Sequence, residues 1–259
     1  MTGGKMLTGN IEVRHCQGLG EFEACLDLEK RVWGSNDLDV VPSAMFVVVH
    51  ETGGQVLGAF DRDAGGQMVG FTLAMAAFRG PLRYLHSHMT AVLEPYRDRG
   101  IGRLLKQFQR SDALERGVEL VEWTFDPLEL RNAYFNIERL GVIVRRYLPN
   151  VYGITTSPLH GGMPTDRLVA EWWLASARAR QCAGEAGGAM PAAASRANAV
   201  RISIPRDIGE LRRSDREAAV RVQAEMREQF QKNFAENLAV TGIEFDARHA
   251  HYILEPYAD

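Results

Sequence analysis

The 259 residues are 46% hydrophobic and 24% charged, a balance that suits a globular protein with one extensive core or two smaller ones. With 30 basic and 33 acidic residues the formal charge is −3, so no positive field gathers polyanions, and neither nucleic acid nor a membrane surface is expected as a partner. Cys16, Cys25 and Cys182 show no Cys/His spacing suited to zinc, so reduced structural cysteines and no bound metal are expected.

Met1 to Asn10 is glycine-rich and polar, and the longest apolar run, Val40 to Val49, is interrupted by Pro42 and Ser43 and is too short to cross a bilayer. A cytoplasmic location is expected, with that run as a buried strand and its lead-in. Phe22, Cys25, Leu26 and Val32 recur at helical spacing and predict a helix that ends at Gly34. Phe46 to His50 reads as a strand, and Gln55 to Phe60 with Gln67 to Ala76 as an antiparallel hairpin turning through Asp61 to Gly66. Arg83 to Leu93 is a further strand, followed by a helix from about Gly102 to Arg116 with Leu104, Leu105, Phe108 and Leu114 on its apolar side.

Val118 to Phe125 predicts a strand, Leu128 to Leu140 a helix stopped by Gly141, Val142 to Ile154 a strand kinked at Pro149, and Arg167 to Leu174 another strand. Residues 179–198, rich in alanine, glycine and serine, read as a flexible linker. Beyond it come a strand at Ala199 to Ile204, a long helix from Ser214 to about Glu236 capped by Ser214, and a strand at His251 to Leu254. The order implies a mixed α/β (α+β) core over residues 10–178 with a small α/β accessory subdomain at 199–259.

The segment Arg97-Asp98-Arg99-Gly100-Ile101-Gly102-Arg103 sits between a predicted strand and a predicted helix. The first N–H groups of a helix lack intrahelical acceptors and the macrodipole is positive there, so a phosphate can be held by backbone alone. Gly100 and Gly102 allow close approach, and Arg97, Arg99 and Arg103 add cationic side chains. Neither a Walker loop nor a three-glycine dinucleotide fingerprint is present.

The stretch from Val92 to Leu105 resembles the acetyl-CoA signature of the GNAT superfamily of N-acetyltransferases, and Asn132-Ala133 through Leu140-Gly141 resembles that family's helix-four motif. Within the superfamily the chain is similar to an uncharacterised bacterial and archaeal group, through Trp33-Gly34, Leu85 to Met89, Trp123 to Leu128, Asn132 to Asn136 and Thr165 to Arg167. The resemblance implies the GNAT fold, a mostly antiparallel mixed sheet flanked by helices. It further implies acetyl-CoA or another acyl-CoA as cosubstrate, bound by Val92, Arg97, Asp98, Arg99, Gly100, Ile101, Gly102, Arg103, Asn132 and Asn136. The implied activity is direct acyl transfer to a small amine acceptor such as an amino acid; a protein acceptor and a CoA-binding module without turnover are the alternatives. A homodimer is left open.

The family's acid tyrosine would fall at Ile137, so Tyr134, one turn earlier, is the substitute, with Tyr147 and Tyr152 as rivals. Its asparagine would fall at Leu130, which shifts that role to Asn132, and Asn132 and Asn136, four residues apart, are expected on one face of the helix. As base the candidates are His86 and His88, expected to share a strand face with Thr90, and Glu122. Of Trp172-Trp173, one is expected to line an acceptor pocket and the other to be core.

Overall fold

A computed structural model describes residues 4–34, 40–154, 162–185 and 199–257, which form two compact units, 1–122 and 123–259. In the first unit the elements run β1 (Lys5–Thr8), β2 (Ile11–His15), α1 (Gly18–Trp33), α2 (Ser43–Glu51), β3 (Gln55–Asp61), β4 (Gln67–Arg79), β5 (Leu82–Val92), α3 (Ile101–Glu115) and the start of β6 (Leu120–Phe125). Strands β1 to β5 pair in sequence order, each antiparallel to the next, whereas β6 pairs parallel to β5 through Leu85↔Val121 and His86↔Glu122. A parallel return needs a crossover, and α3 supplies it. One apolar cluster joins Phe22, Cys25, Leu28, Phe46 and Val49 of α1 and α2 to Phe71, Leu73 and Ala91; a second joins Ile101, Leu104, Leu105 and Phe108 of α3 to Val13, Leu57, Ala59 and Val69. The helices therefore cover opposite faces.

The strand expected at Phe46 to His50 is a helix. Pro42 immediately precedes it with extended backbone, and Phe46 and Val49, three residues apart, are the two side chains it buries. Val47 and Val48 face outward, so the apolar run reflects an amphipathic turn and not a two-sided buried strand. The hairpin at Lys5 to His15 is not legible in the sequence, because its outer strand β1 buries no residue and its two apolar residues, Met6 and Leu7, are adjacent and so show no strand alternation.

The second unit contains the end of β6, α4 (Leu130–Tyr134) continuing into a π-helical turn over Phe135–Leu140, β7 (Ile143–Leu148), β8 (Arg167–Trp173), α5 (Ala177–Ala183), β9 (Val200–Pro205), α6 (Ile208–Ser214), α7 (Arg216–Ala235), β10 (Leu238–Phe245) and β11 (His249–Pro256). Its strands lie in the order β8-β7-β10-β11-β9. The pair Val240↔Val144 thus places the 199–257 strands in one sheet with β7 and β8. Phe230 of α7 stacks on Tyr147 and meets Tyr252 edge-on, with ring centroids 5.7 and 5.3 Å away.

The strand expected to continue through Pro149 stops at Leu148, where Asn150 takes a positive φ of 47°. The long helix expected from Ser214 to about Glu236 is α7, preceded by a separate short helix, α6, that ends at Ser214; Asp215, not Ser214, caps α7 by accepting the Ala218 N–H at 2.9 Å. Alanine-rich sequence expected to begin a linker is helical through Ala183, while 186–198 of that linker fall outside the described residues. No described helix is long and apolar enough to cross a membrane.

Gly141 ends the π-helical turn with φ 78°, and a Cβ there would lie 2.9 Å from the Arg178 carbonyl oxygen. Gly141→Ala should destabilise the protein by about 2–4 kcal/mol, combining a left-handed alanine with a backbone clash. Gly100→Ala, whose Cβ meets nothing within 4 Å, should cost only about 1 kcal/mol. Urea unfolding of the two variants measures the difference.

Candidate functional site

Strand β5 does not keep simple alternation. Met89 opposes Leu73 and Ser87 opposes Ala74, so His88 is an extra residue, a β-bulge. Ser87 Oγ accepts a hydrogen bond from Lys106 of α3 at 2.8 Å. Thr90 opposes Thr72 and hydrogen-bonds it at 3.0 Å, and Thr72 shares its face with Gly70, whose Cβ position would touch Leu105 of α3. Ser87 and Thr90 are therefore both on the α3 side although three residues apart, while Met89 packs with the α1–α2 cluster. The expectation that Thr90 shares a face with His86 and His88 is corrected by this bulge. His86 and His88 themselves stand side by side, ring centroids 6.4 Å apart.

Burial lowers the pKa of both imidazoles; for His86 the neighbouring His88 and the Lys106 charge lower it further, against an opposing pull from Glu122. Both are thus neutral at neutral pH, the state in which an imidazole accepts a proton. Glu122, the other candidate base, is buried opposite His86 and takes both guanidinium arms of Arg79, one of them at 3.0 Å. A carboxylate held this way is an anchor for the β4 end and a local negative charge beside His86.

Beyond His86 strand β5 runs six more residues to Val92, with no further β6 partner within the first unit. Its end leads into a single 3-10 turn, Glu94–Tyr96, then Arg97 in extended conformation, Asp98 at φ 60° and Gly100 at φ 80°. Gly100 is the N-cap of α3 and supplies no side chain to it. The first helical bond is Leu104 N–H to Gly100 carbonyl at 3.0 Å, so the N–H groups of Ile101 and Gly102 precede the helical ladder. Arg97, Asp98, Arg99 and Gly100 are exposed and Arg103 half-buried, and the Arg97 Nε–H donates to the Val92 carbonyl at 3.2 Å. The turn is braced from below: Tyr96 donates its hydroxyl to Asp61 at 2.9 Å, Asn10 donates to the same carboxylate at 2.7 Å, and the Arg99 guanidinium lies 4.8 Å from the Tyr96 ring centre. Backbone donors, two left-handed residues and a cluster of arginines at one helix start fit a diphosphate.

Asn132, Tyr134 and Asn136 belong to the second unit. Asn132 is exposed; Tyr134 is 40% exposed and meets Phe245 edge-on at 5.9 Å. Asn136 is buried, so it does not share an exposed face with Asn132, and its Nδ2 has no hydrogen-bond partner among the described residues. The π-helical turn beginning at Phe135 adds a residue to the turn and removes the i, i+4 register that the sequence implied. Ile137 is fully buried core. Tyr147 is buried and donates to Asp166, burial and that bond raising its pKa far above the ordinary tyrosine range, whereas Tyr152 is exposed beside Arg167. Trp172 is the core tryptophan, donating to the Leu140 carbonyl at 2.8 Å; the half-buried Trp173 has an indole N–H with no partner among the described residues. Among the described residues no three His, Cys, Asp or Glu side chains are grouped to hold a metal.

Sequence reasoning missed Lys106 and Asp61. Both are polar residues in otherwise apolar or turn settings, and the only trace was the run Lys106, Gln109, Asp112 at three-residue spacing along α3.

No described protein family matches the sequence, and no curated protein matches it either. Solved structures do. The ribosomal-protein-S5-alanine acetyltransferase of Vibrio fischeri superposes with a TM-score of 0.53 at 12% identity, over 65% of this chain and 95% of that one. The acetyltransferase yncA of Salmonella typhimurium, solved with its cofactor acetyl-CoA, gives 0.52 at 17% identity over 64% and 95%. A GNAT-family acetyltransferase of Streptococcus pneumoniae gives 0.50 at 15% identity over 62% and 98%. Over that share of its length, the chain has the fold of the GNAT acetyltransferases.

Proposed function

We propose that the protein is an acyl-CoA-dependent N-acyltransferase that uses acetyl-CoA or a related thioester and acylates the amine of a small metabolite such as an amino acid. The observation that carries this reading is the strand-to-helix turn in which β5, bulged at His88, ends at Val92 and opens through left-handed Gly100 into α3. Ile101 and Gly102 N–H groups, with Arg97, Arg99 and Arg103, would hold the diphosphate, and the edge of β5 from Ser87 to Val92, which has no β6 partner within the first unit, would take the pantetheine arm by main-chain bonds. The bound cosubstrate supplies the activated acyl group. On the protein side a bulge leaves an N–H outside the ladder, and at His88 that group can donate to a carbonyl oxygen as negative charge develops on it. Neutral His86 accepts the proton that an ammonium must lose before it can attack. Glu122, committed to Arg79, favours the imidazolium that results.

A CoA-binding module without turnover is the second reading, favoured by the buried Ile137 where the resembling family carries its acid tyrosine. Thermal stabilisation by CoA with no thiol release across a panel of amines and peptides would select it, and acylation of peptides but not small amines would move the acceptor to protein chains.

Three outcomes are expected. Gly100→Val, which forces a β-branched residue into φ 80°, should weaken CoA binding at least about tenfold by calorimetry, and unchanged affinity would contradict the cradle. His86→Ala should lower kcat by about a hundredfold while CoA affinity changes less than about twofold. Because the His86 pKa is depressed, wild-type activity should persist to below about pH 6.5 before falling with protonation of the base; an acid limb unchanged in His86→Ala would remove the assignment.

A further inference from the structure

Under β5 lies a chain of polar side chains that acyl transfer as described leaves unused. Lys106 is 4% exposed on α3, and its Nζ donates to Ser87 Oγ at 2.8 Å and to Gln109 Oε1 at 2.9 Å. Gln109 donates to Gln55 Oε1 at 3.1 Å, and Gln55 donates in turn to the Gln109 carbonyl at 3.1 Å and to Asp112 at 2.7 Å. Asp112 is held by His15 at 2.8 Å and Arg116 at 3.1 Å. A buried lysine costs free energy that methionine of similar length would not, so its presence asks for a reason other than stability. The position of Ser87 supplies one, since it is the residue immediately before bulged His88 and immediately after His86.

We propose that Lys106 is a positioning residue for the site: it pins Ser87, and with it the bulge at His88. From the α3 side of the strand its charge also opposes protonation of the neighbouring His86. The kinetic half of this rests on the acyl-transfer reading; the structural half does not. Burial lowers the Lys106 pKa to about 7, so the ammonium forms as pH falls through neutrality, the range in which a histidine would begin to protonate. The titratable and charged groups around the pair are His88 on β5, Glu122 on β6 with Arg79 from β4, His15 on β2, Arg110 and Asp112 on α3, and Arg116 just after its end. Lys5 and Glu12 pair at the outer edge on β1 and β2. Against the upward push of burial, hydrogen bonds from His15 and Gln55 hold Asp112 at about 2, so it remains a fixed negative end of the chain while Lys106 titrates.

The test is an NMR titration of the His86 imidazole, assigned by its loss in His86→Ala, in the parent, Lys106→Met and Lys106→Gln, beside kcat and CoA affinity across pH. In both variants the His86 midpoint should move to higher pH. At neutral pH kcat should fall about tenfold through loss of alignment, with CoA affinity within about twofold. Lys106→Arg should return the midpoint toward the parent value. In urea, the stability of the parent relative to Lys106→Met should rise from about pH 7 to 10.5, because over that window the unfolded lysine keeps a proton that the native one has released. Lys106→Gln retains hydrogen-bonding groups and stands in if Lys106→Met does not fold. A His86 midpoint that stays put in folded variants, or a flat stability difference, overturns the proposal. Absence of turnover in the parent would refute acyl transfer instead, and the NMR arm would still decide the role of Lys106.

Discussion

One parallel pairing organises the first unit. Every ladder among β1 to β5 is antiparallel, but β6 runs beside β5 in the same direction, over Leu85↔Val121 and His86↔Glu122. The chain must therefore leave the end of β5, cross the sheet and re-enter at the other end, and α3 is that crossing. The positive end of a 15-residue helix is thereby delivered next to the terminus of β5, and Gly100 and Asp98 take left-handed backbone to make the corner. The geometry suited to a diphosphate follows from the sheet's connectivity, with the arginines refining it.

The bulge at His88 is the second local departure and reverses which residues point where. An extra residue keeps Ser87 and Thr90 both toward α3, which lets Lys106 reach Ser87 and lets Thr90 meet Thr72. Two histidines are left adjacent, partly desolvated and neutral, with a committed carboxylate at one side and a buried amine beneath. Such a polar interior is poor material for stability and good material for fixing one arrangement of a strand, because each misplacement strands a buried donor or acceptor.

The second unit is stabilised differently. Its sheet is clamped by α7 through the aromatic stack of Phe230 on Tyr147 and Tyr252, and Asp166 gathers Tyr147, Arg227 and the Asn150 N–H around one buried carboxylate. Strands from the last 60 residues complete that sheet, so their apolar residues, among them Val240, Ile243, Ile253 and Leu254, are core and not the surface of an appendage.

The sequence by itself determined α1, the β3–β4 hairpin, β5, α3 and the turn at Arg97 to Arg103, because those features are local: apolar periodicity, glycine stops and a phosphate-suited turn are written in consecutive residues. Only the tertiary structure decided that Val47 and Val48 lie on a helix, that β1 pairs at an edge, that α4 widens into a π-helical turn, and that the 199–257 strands pair with β7. It also decided the roles around the candidate base. Alternation read along a strand cannot reveal a bulge, which is fixed by the partner strand's register, and it cannot reveal that Glu122 meets Arg79 or that Lys106 meets Ser87, pairs separated by 43 and 19 residues. Charge pairing and desolvation depend on distances between segments, and those exist only once the chain has folded.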